Sequence, residues 1–132
     1  MHPLFTAKTH NEAPHYYIGK VAELTGASPR AIRLYESLKL IPRPARRGRY
    51  RVYSDRDVVV IHMIKRAQSV GFVLSELHDI IAEKVKHNRF PLKTANTLFD
   101  RKRSALRQEI AALRDLDRQL VALQSEVNKR FR

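Results

Sequence analysis

The C-terminal stretch from about Leu92 to Lys129 contains neither glycine nor proline, so no residue in it is expected to break a helix. A helix of about 38 residues would be about 57 Å long at about 1.5 Å per residue. Its large apolar residues recur at an average spacing of about 3.5, which is the period of a coiled coil. They are Leu106, Ile110, Leu113, Leu116, Leu120, Leu123 and Val127. The rest of the chain is too small to cover so long a seam, and we therefore expect it to pair with a second chain.

Two points leave the details of this pairing open. Asp117 and Gln124 interrupt the apolar pattern, so the spacing alone does not define the register or direction of the paired helices. A long helix that folds back over its own N-terminal region is the alternative to a dimer.

The segment TGASPRAIRLYE, residues 25–36, has the pattern of a recognition helix. A glycine turn precedes Ser28, a favourable N-cap, and Pro29 follows at the first helical position. Arg30 and Arg33 are one turn apart, so they share an outward face and can enter a major groove together. Ile32 points inward, and Tyr35 is the next candidate core position.

Basic charge is concentrated around this segment. The whole chain has 26 Lys and Arg against 13 Asp and Glu, and its pI is near 10.6. Residues 28–66 contain eleven basic residues and three acids. Tyrosines lie among the arginines, and their hydroxyls can also reach phosphates. We interpret this charge as the binding surface for a polyanion, with a merely solvated face as the alternative.

A short β-hairpin is predicted within RPARRGRYRVY, residues 43–53. Gly48 permits the turn, and the arginines around it would lie against a phosphate backbone or a minor groove. They are Arg46, Arg47, Arg49 and Arg51. The alternative is a surface hairpin with solubilising charge. After the hairpin, Ser54 and Asp57 form a capping pair that predicts the start of another helix.

Several functional classes are excluded by composition. The absence of cysteine removes disulfides, thiolate metal sites and thiol redox chemistry. There is no carboxylate pair, activated nucleophile or phosphate-cradling glycine loop, so we expect neither an enzyme nor a cofactor. His62, His78 and His87 do not have the spacing of metal ligands, and no metal site is predicted.

The sequence also indicates where the protein is found. No apolar run is long enough to span a membrane. Residues 1–15 are expected to form a disordered tail, and they are too polar for a signal peptide. We therefore expect a cytoplasmic protein.

The order of these segments resembles the MerR family of bacterial transcription regulators. The resemblance covers residues 16–127 and lies in the succession YYIGKVAELTGASPRAIRLYESLKLI, RYRVYSDRD, IKRAQSVGF and then a long helix. It implies a mainly α fold with a winged helix-turn-helix head at 16–88. It also implies a dimerisation helix at 89–132 that pairs with its copy as an antiparallel coiled coil.

The resemblance further implies a homodimer on double-stranded promoter DNA. Such dimers bind a pseudo-palindromic element with a long spacer and distort the duplex, so that they affect RNA polymerase indirectly, through the DNA. The positions that match the DNA-binding motifs are Ser28, Arg30, Arg33 and Tyr35 in the recognition helix, Tyr50, Arg51 and Tyr53 in the wing, and Lys65 and Arg66 beyond it. Branches of the family that sense metals or redox state use cysteines, and the multidrug branch adds a ligand domain after the coiled coil. Neither feature is found in these 132 residues, so the effector stays unknown: a ligand between the head and the coiled coil, a partner protein, or no effector at all are the alternatives.

Two rival functions remain at this point. An architectural DNA-bending protein of the excisionase type would share the winged head but commonly lacks the long helix. An adaptor would use the coiled coil to bind a different protein and would have a head that attracts DNA only by charge.

Overall fold

The computed structural model describes residues 15–132 and contains, over that range, five helices and three short strands. The expected tail at 1–14 lies outside the described residues, whereas His15 belongs to a strand. The elements in chain order are β1 His15–Tyr16, α1 Ile18–Thr25, α2 Pro29–Ser37, β2 Ala45–Arg47, β3 Tyr50–Ser54, α3 Asp55–Ser69, α4 Leu74–His87 and α5 Leu92–Arg130. The predicted mainly helical fold with a hairpin is therefore confirmed.

The turn between α1 and α2 is held by backbone geometry and two hydroxyl side chains. Gly26 ends α1 in the left-handed region with φ of 77°, which glycine adopts at little cost. The buried Thr25 hydroxyl donates to the carbonyl of Val21 at 2.8 Å and accepts from the N–H of Ala27 at 3.2 Å. The Ser28 hydroxyl then accepts from the N–H of Ala31 at 3.0 Å and caps α2. These contacts fix the start of the predicted recognition helix.

The hairpin is the outer part of a three-stranded antiparallel sheet in the order β1-β3-β2. Gly48 has φ of 63° and makes the turn between β2 and β3, as the sequence predicts. The strand β1 is an addition that the sequence does not predict, because two residues are too short to show an alternating pattern. Tyr16 pairs with Tyr53 and donates from its hydroxyl to Asp55 at 2.6 Å. That hydrogen bond is the main cause that raises the pKa of Tyr16.

The helix α3 begins at the predicted capping pair. The Ser54 hydroxyl accepts from the N–H of Asp57 at 3.1 Å, and the Asp57 carboxylate accepts from the N–H of Ser54 at 3.0 Å. Each side chain therefore satisfies one backbone donor that the first turn of a helix leaves free.

The helix α4 is longer than its apolar pattern suggests. Its apolar face is formed by Leu74, Leu77, Ile80 and Ile81, but the helix continues to His87. Basic residues occupy its last turn, where they interact favourably with the negative end of the helix dipole. Its first turn is capped by Glu76, whose carboxylate accepts from the N–H of Val73 at 2.9 Å.

The hydrophobic core of the head lies where α1, α2, α3 and β3 meet. Its most buried side chains are Val21, Ile32, Tyr35, Tyr53, Val58 and Ile61. The chain divides into two compact units, one that ends at Phe90 and one from Pro91 to Arg132. The second unit consists of α5, a helix of 39 residues. None of the helices in residues 15–132 is long and apolar enough to cross a membrane.

The capping pair yields a test of the fold. Replacement Ser54→Ala removes the acceptor for one N–H of the first turn, and we expect a loss of about 1 kcal/mol in the free energy of unfolding. Urea denaturation followed by circular dichroism measures this loss. Ser69→Ala is the control, since the Ser69 hydroxyl donates only to the exposed carbonyl of Arg66, and an equal loss in both variants would contradict the assigned cap.

Candidate nucleic-acid interface

The recognition helix α2 presents its two arginines to solvent. Arg30 and Arg33 are both exposed, whereas Ile32 between them is fully buried, so the predicted outward face is correct. Leu34 also lies on the surface and is 45% exposed. Ser28 is exposed, but its hydroxyl is engaged in capping the helix. The helix therefore offers two long cations with bidentate hydrogen-bonding capacity.

The turn of the hairpin carries a cluster of exposed arginines. Arg47 and Arg49 flank Gly48, and both are exposed. Arg46 donates from Nη1 to the carbonyl of Arg49 at 3.3 Å, which braces the turn. The guanidinium of Arg49 lies 5.9 Å from the centroid of the Tyr50 ring, within the range of a cation–π contact.

Tyr17 lies next to this cluster, although the sequence does not predict it as a DNA-binding residue. Its ring meets that of Tyr50 edge to face, with centroids 6.0 Å apart and an interplanar angle of 70°. Tyr17 and Tyr50 are 48% and 60% exposed. The sequence places Tyr17 immediately before α1, but it does not show that β1 brings this segment next to the hairpin.

Arg51 differs from the other arginines of the hairpin because it is tied to the recognition helix. Its Nε lies 2.8 Å from Oε2 of Glu36 in α2, and the two side chains are only 30% and 16% exposed. This ion pair connects the wing to the recognition helix. Arg51 thus has a positioning contact in addition to the DNA contact that the sequence predicts for it.

Next to this ion pair is an open cleft with a volume of about 340 Å³. The cleft brings Arg33 of α2 and Arg51 of β3 to one surface. Four of its seven lining residues are cationic. The lining residues are Arg33, Glu36, Ser37, Lys39, Ile41, Arg43 and Arg51.

The positions of Tyr35 and Tyr53 differ from those expected of DNA-contacting residues. The family resemblance assigns both to DNA contact, whereas the helical pattern also makes Tyr35 a candidate core residue. They are 1% and 0% exposed and belong to the core, so the core prediction for Tyr35 is the correct one. The Tyr35 hydroxyl donates to the side-chain carbonyl of Gln68 in α3, which holds α2 against that helix. The Tyr53 hydroxyl is buried without a hydrogen-bond partner. Burial raises the pKa of Tyr35 and is also the largest cause that raises the pKa of Tyr53, so both stay protonated at neutral pH.

The other predicted positions lie on the surface. Lys65 and Arg66 are exposed near the C-terminal end of α3. The seven predicted interface residues of α5 are between 44% and 61% exposed in the single chain. No group of three or more histidines or acids that could hold a metal ion occurs within residues 15–132.

Comparison with known families agrees with this architecture. Residues 16–84 match the MerR HTH family regulatory protein, and residues 58–123 match the family described as MerR, DNA binding. The chain belongs to the MerR family. It is thus a DNA-binding transcriptional regulator rather than an enzyme, and the predicted resemblance is confirmed.

Individual relatives cover different parts of the chain. The mercuric resistance operon regulatory protein of Bacillus cereus is 42% identical over 67 residues, which is 50% of this chain and 51% of that protein. The transcriptional regulator CueR of Yersinia pestis is 32% identical over 113 residues, or 83% of this chain and 78% of that regulator. The crystal structure of HiNmlR, a MerR family regulator lacking the sensor domain and bound to promoter DNA, superposes with a TM-score of 0.61. It is 24% identical and shares the fold over 79% of this chain and 80% of its own.

The two buried tyrosines respond differently to loss of the hydroxyl. Tyr35→Phe breaks the hydrogen bond to Gln68, and we expect it to lower the free energy of unfolding by about 1 kcal/mol. Tyr53→Phe removes a buried hydroxyl that has no partner, and we expect a change between zero and a gain of about 1 kcal/mol. Chemical denaturation of both variants tests the pair, and a larger loss for Tyr53→Phe would show that its hydroxyl has a stabilising role.

Proposed function

We propose that this MerR family member binds a pseudo-palindromic promoter element as a homodimer and controls transcription by distorting the DNA between its two heads. The observation that carries the proposal is the cationic surface shared by the recognition helix and the wing. Arg33 and Arg51 line one cleft, and the Glu36–Arg51 ion pair fixes the two elements to each other. A head of this kind can place a helix in a major groove while its wing follows the adjacent backbone.

Within this surface, we assign base contacts to Arg30 and Arg33. Both are exposed on one face of α2, and arginine is well suited to bidentate contacts with guanine edges. The other predicted positions on the surface would contact phosphates and sugars, which position the protein without reading sequence. They are the exposed residues Ser28, Arg47, Arg49, Tyr50, Lys65 and Arg66, together with the partly buried Arg51.

The exposed seam of α5 supports the proposal of a dimer. Seven large apolar side chains along a single helix would meet water in a monomer, and such a stripe is a typical site of association. We propose that the helix from about residue 89 pairs with its copy as an antiparallel coiled coil. This arrangement would join two heads, each ending near residue 88, so that one dimer binds two half-sites.

Distortion of the spacer requires contacts that offset its cost. Bending or untwisting a site costs on the order of several kcal/mol, and added phosphate contacts offset it. The exposed arginines around Gly48 and the basic cleft provide such contacts. The DNA complex of HiNmlR, a regulator of the same family, supports duplex binding by this fold. RNA polymerase would then be affected through the shape of its promoter, in the cytoplasm of a bacterium.

The metal in one relative's name does not suit the residues of this chain. The relative from Bacillus cereus is named for mercury resistance. The 132 residues of this chain contain no cysteine, so a soft metal cannot be bound by thiolates within them. We therefore assign no thiolate-bound metal to this chain and propose the dimer with DNA as its functional unit.

The first test concerns base recognition. We expect the double variant Arg30→Ala and Arg33→Ala to lose most of its preference for a duplex selected in vitro by the wild-type protein over a mixed-sequence duplex. Each lost bidentate contact corresponds to about 1 to 3 kcal/mol of discrimination. Fluorescence anisotropy at fixed salt measures both affinities.

The double variant Lys84→Ala and Lys86→Ala is the matched control, since it removes the same charge from exposed positions in α4. It should weaken binding to both duplexes alike. An equal loss for both duplexes in the Arg30 and Arg33 variant would instead favour the adaptor with an electrostatic head.

The second test concerns the dimer. Leu113→Asp puts a charge into the proposed seam and should convert the dimer to a monomer at micromolar concentration, while the circular dichroism of the head remains. Sedimentation equilibrium measures the mass. Ala111→Asp is the control, because it lies about 200° around the helix from Leu113. A Leu113→Asp protein with the mass of the wild type would contradict the assigned seam.

A further inference from the structure

Lys39 has a backbone conformation that lysine adopts only at a cost. Its φ is 61°, in the left-handed region that glycine occupies most easily. The other non-glycine residue with positive φ within residues 15–132 is Asn88, and asparagine tolerates this region better than most residues. Lysine tolerates the left-handed backbone less well than asparagine does, so Lys39 has the more costly conformation of the two.

The termination of α2 imposes this conformation. The N–H of Lys39 donates to the carbonyl of Glu36 at 3.0 Å, and the N–H of Leu40 donates to the carbonyl of Tyr35 at 2.9 Å. This pair of hydrogen bonds is the Schellman motif, in which the residue after the cap is usually glycine. Leu40 is buried at 2% exposure and anchors the turn in the core. The backbone of Lys39 is thus set by its neighbours, and a glycine there would be more stable.

Lys39 is one of the residues that line the cleft between α2 and the wing. Arg33, Arg43 and Arg51 line the same cleft, which gives four cations against the single carboxylate of Glu36. That carboxylate already accepts from Nε of Arg51, so the terminal N–H groups of this guanidinium remain for another acceptor. A concave surface with a net charge of three positive units attracts an anion.

We propose that this cleft binds a backbone phosphate of the duplex and that Lys39 is a further DNA-contacting residue. The inference rests on the proposed function, because the cleft joins Arg33 of the recognition helix to Arg51 of the wing. A phosphate diester matches the open shape and the cationic donors, and a compact ammonium group suits a point contact with one phosphate oxygen. A contact of this ammonium group with DNA would explain why lysine occupies a position where glycine would be more stable.

Two properties should change in opposite directions when Lys39 becomes glycine. We expect Lys39→Gly to raise the Tm by roughly 3 to 6 °C, since it relieves the left-handed backbone. The same variant should bind duplex DNA about three- to tenfold more weakly near 0.1 M salt. Its plot of log affinity against log salt should lose a slope of about 0.9 per head. Differential scanning calorimetry and fluorescence anisotropy with the selected and mixed-sequence duplexes measure these changes.

Three companion variants separate charge from backbone strain. Lys39→Asn removes the charge but tolerates positive φ, and it should lose affinity as Lys39→Gly does. Lys39→Arg keeps the charge and should retain most of the affinity. Asn88→Gly changes the other left-handed position and should leave DNA affinity unchanged, whatever it does to the Tm.

Each contrary result has a defined meaning. If Lys39→Gly binds both duplexes with wild-type affinity and salt dependence, the phosphate contact is wrong while the proposed function stands. A wild-type protein that binds neither duplex refutes the proposed function itself. If inorganic phosphate raises the Tm of the wild type but not of Lys39→Gly, and DNA affinity is unchanged, the cleft holds a free anion and the DNA contact is overturned.

Discussion

The burial of Tyr35 and Tyr53 is the constraint on which the DNA-binding head depends. One ring comes from the recognition helix and the other from the central strand of the sheet, and both lie in the same core. Since a large ring buries substantial apolar area, neither element can move far without exposing it. The Tyr35 hydrogen bond to Gln68 and the Glu36–Arg51 ion pair then attach α2 to α3 and to β3, respectively. The charged groups on the surface are positioned by these contacts beneath them.

Local patterns in the sequence were sufficient to predict most of the helices and the hairpin turn. Ser28 and Ser54 cap the helices that they were expected to begin, and Gly48 adopts the positive φ that its turn requires. Each of these features depends on residues that lie close together in the sequence, so the sequence alone predicts them. The exposure of Arg30 and Arg33 follows in the same way from the position of Ile32 on the opposite face.

Features set by distant parts of the chain were not predicted. Tyr53 is of a residue type that suits a phosphate-binding surface, yet its burial depends on contacts with other elements of the head. The strand β1 is defined by pairing with β3, almost 40 residues later, and its two residues have no pattern of their own. The partner of Arg51 is 15 residues away in another element. In each case the deciding contact is tertiary, and residue type alone does not reveal it.

The two-residue strand β1 also affects how far the edges of β3 are open to another strand and where a fusion partner can be attached. It pairs with Tyr53 and Ser54 on one edge of β3, and β2 pairs with residues 50–52 on the other, so each edge of the central strand is partly covered against the addition of a foreign strand. This protection is provided by residues that immediately follow the N-terminal fourteen. A fusion partner or affinity tag joined directly at His15 would therefore lie next to the strand that covers part of β3.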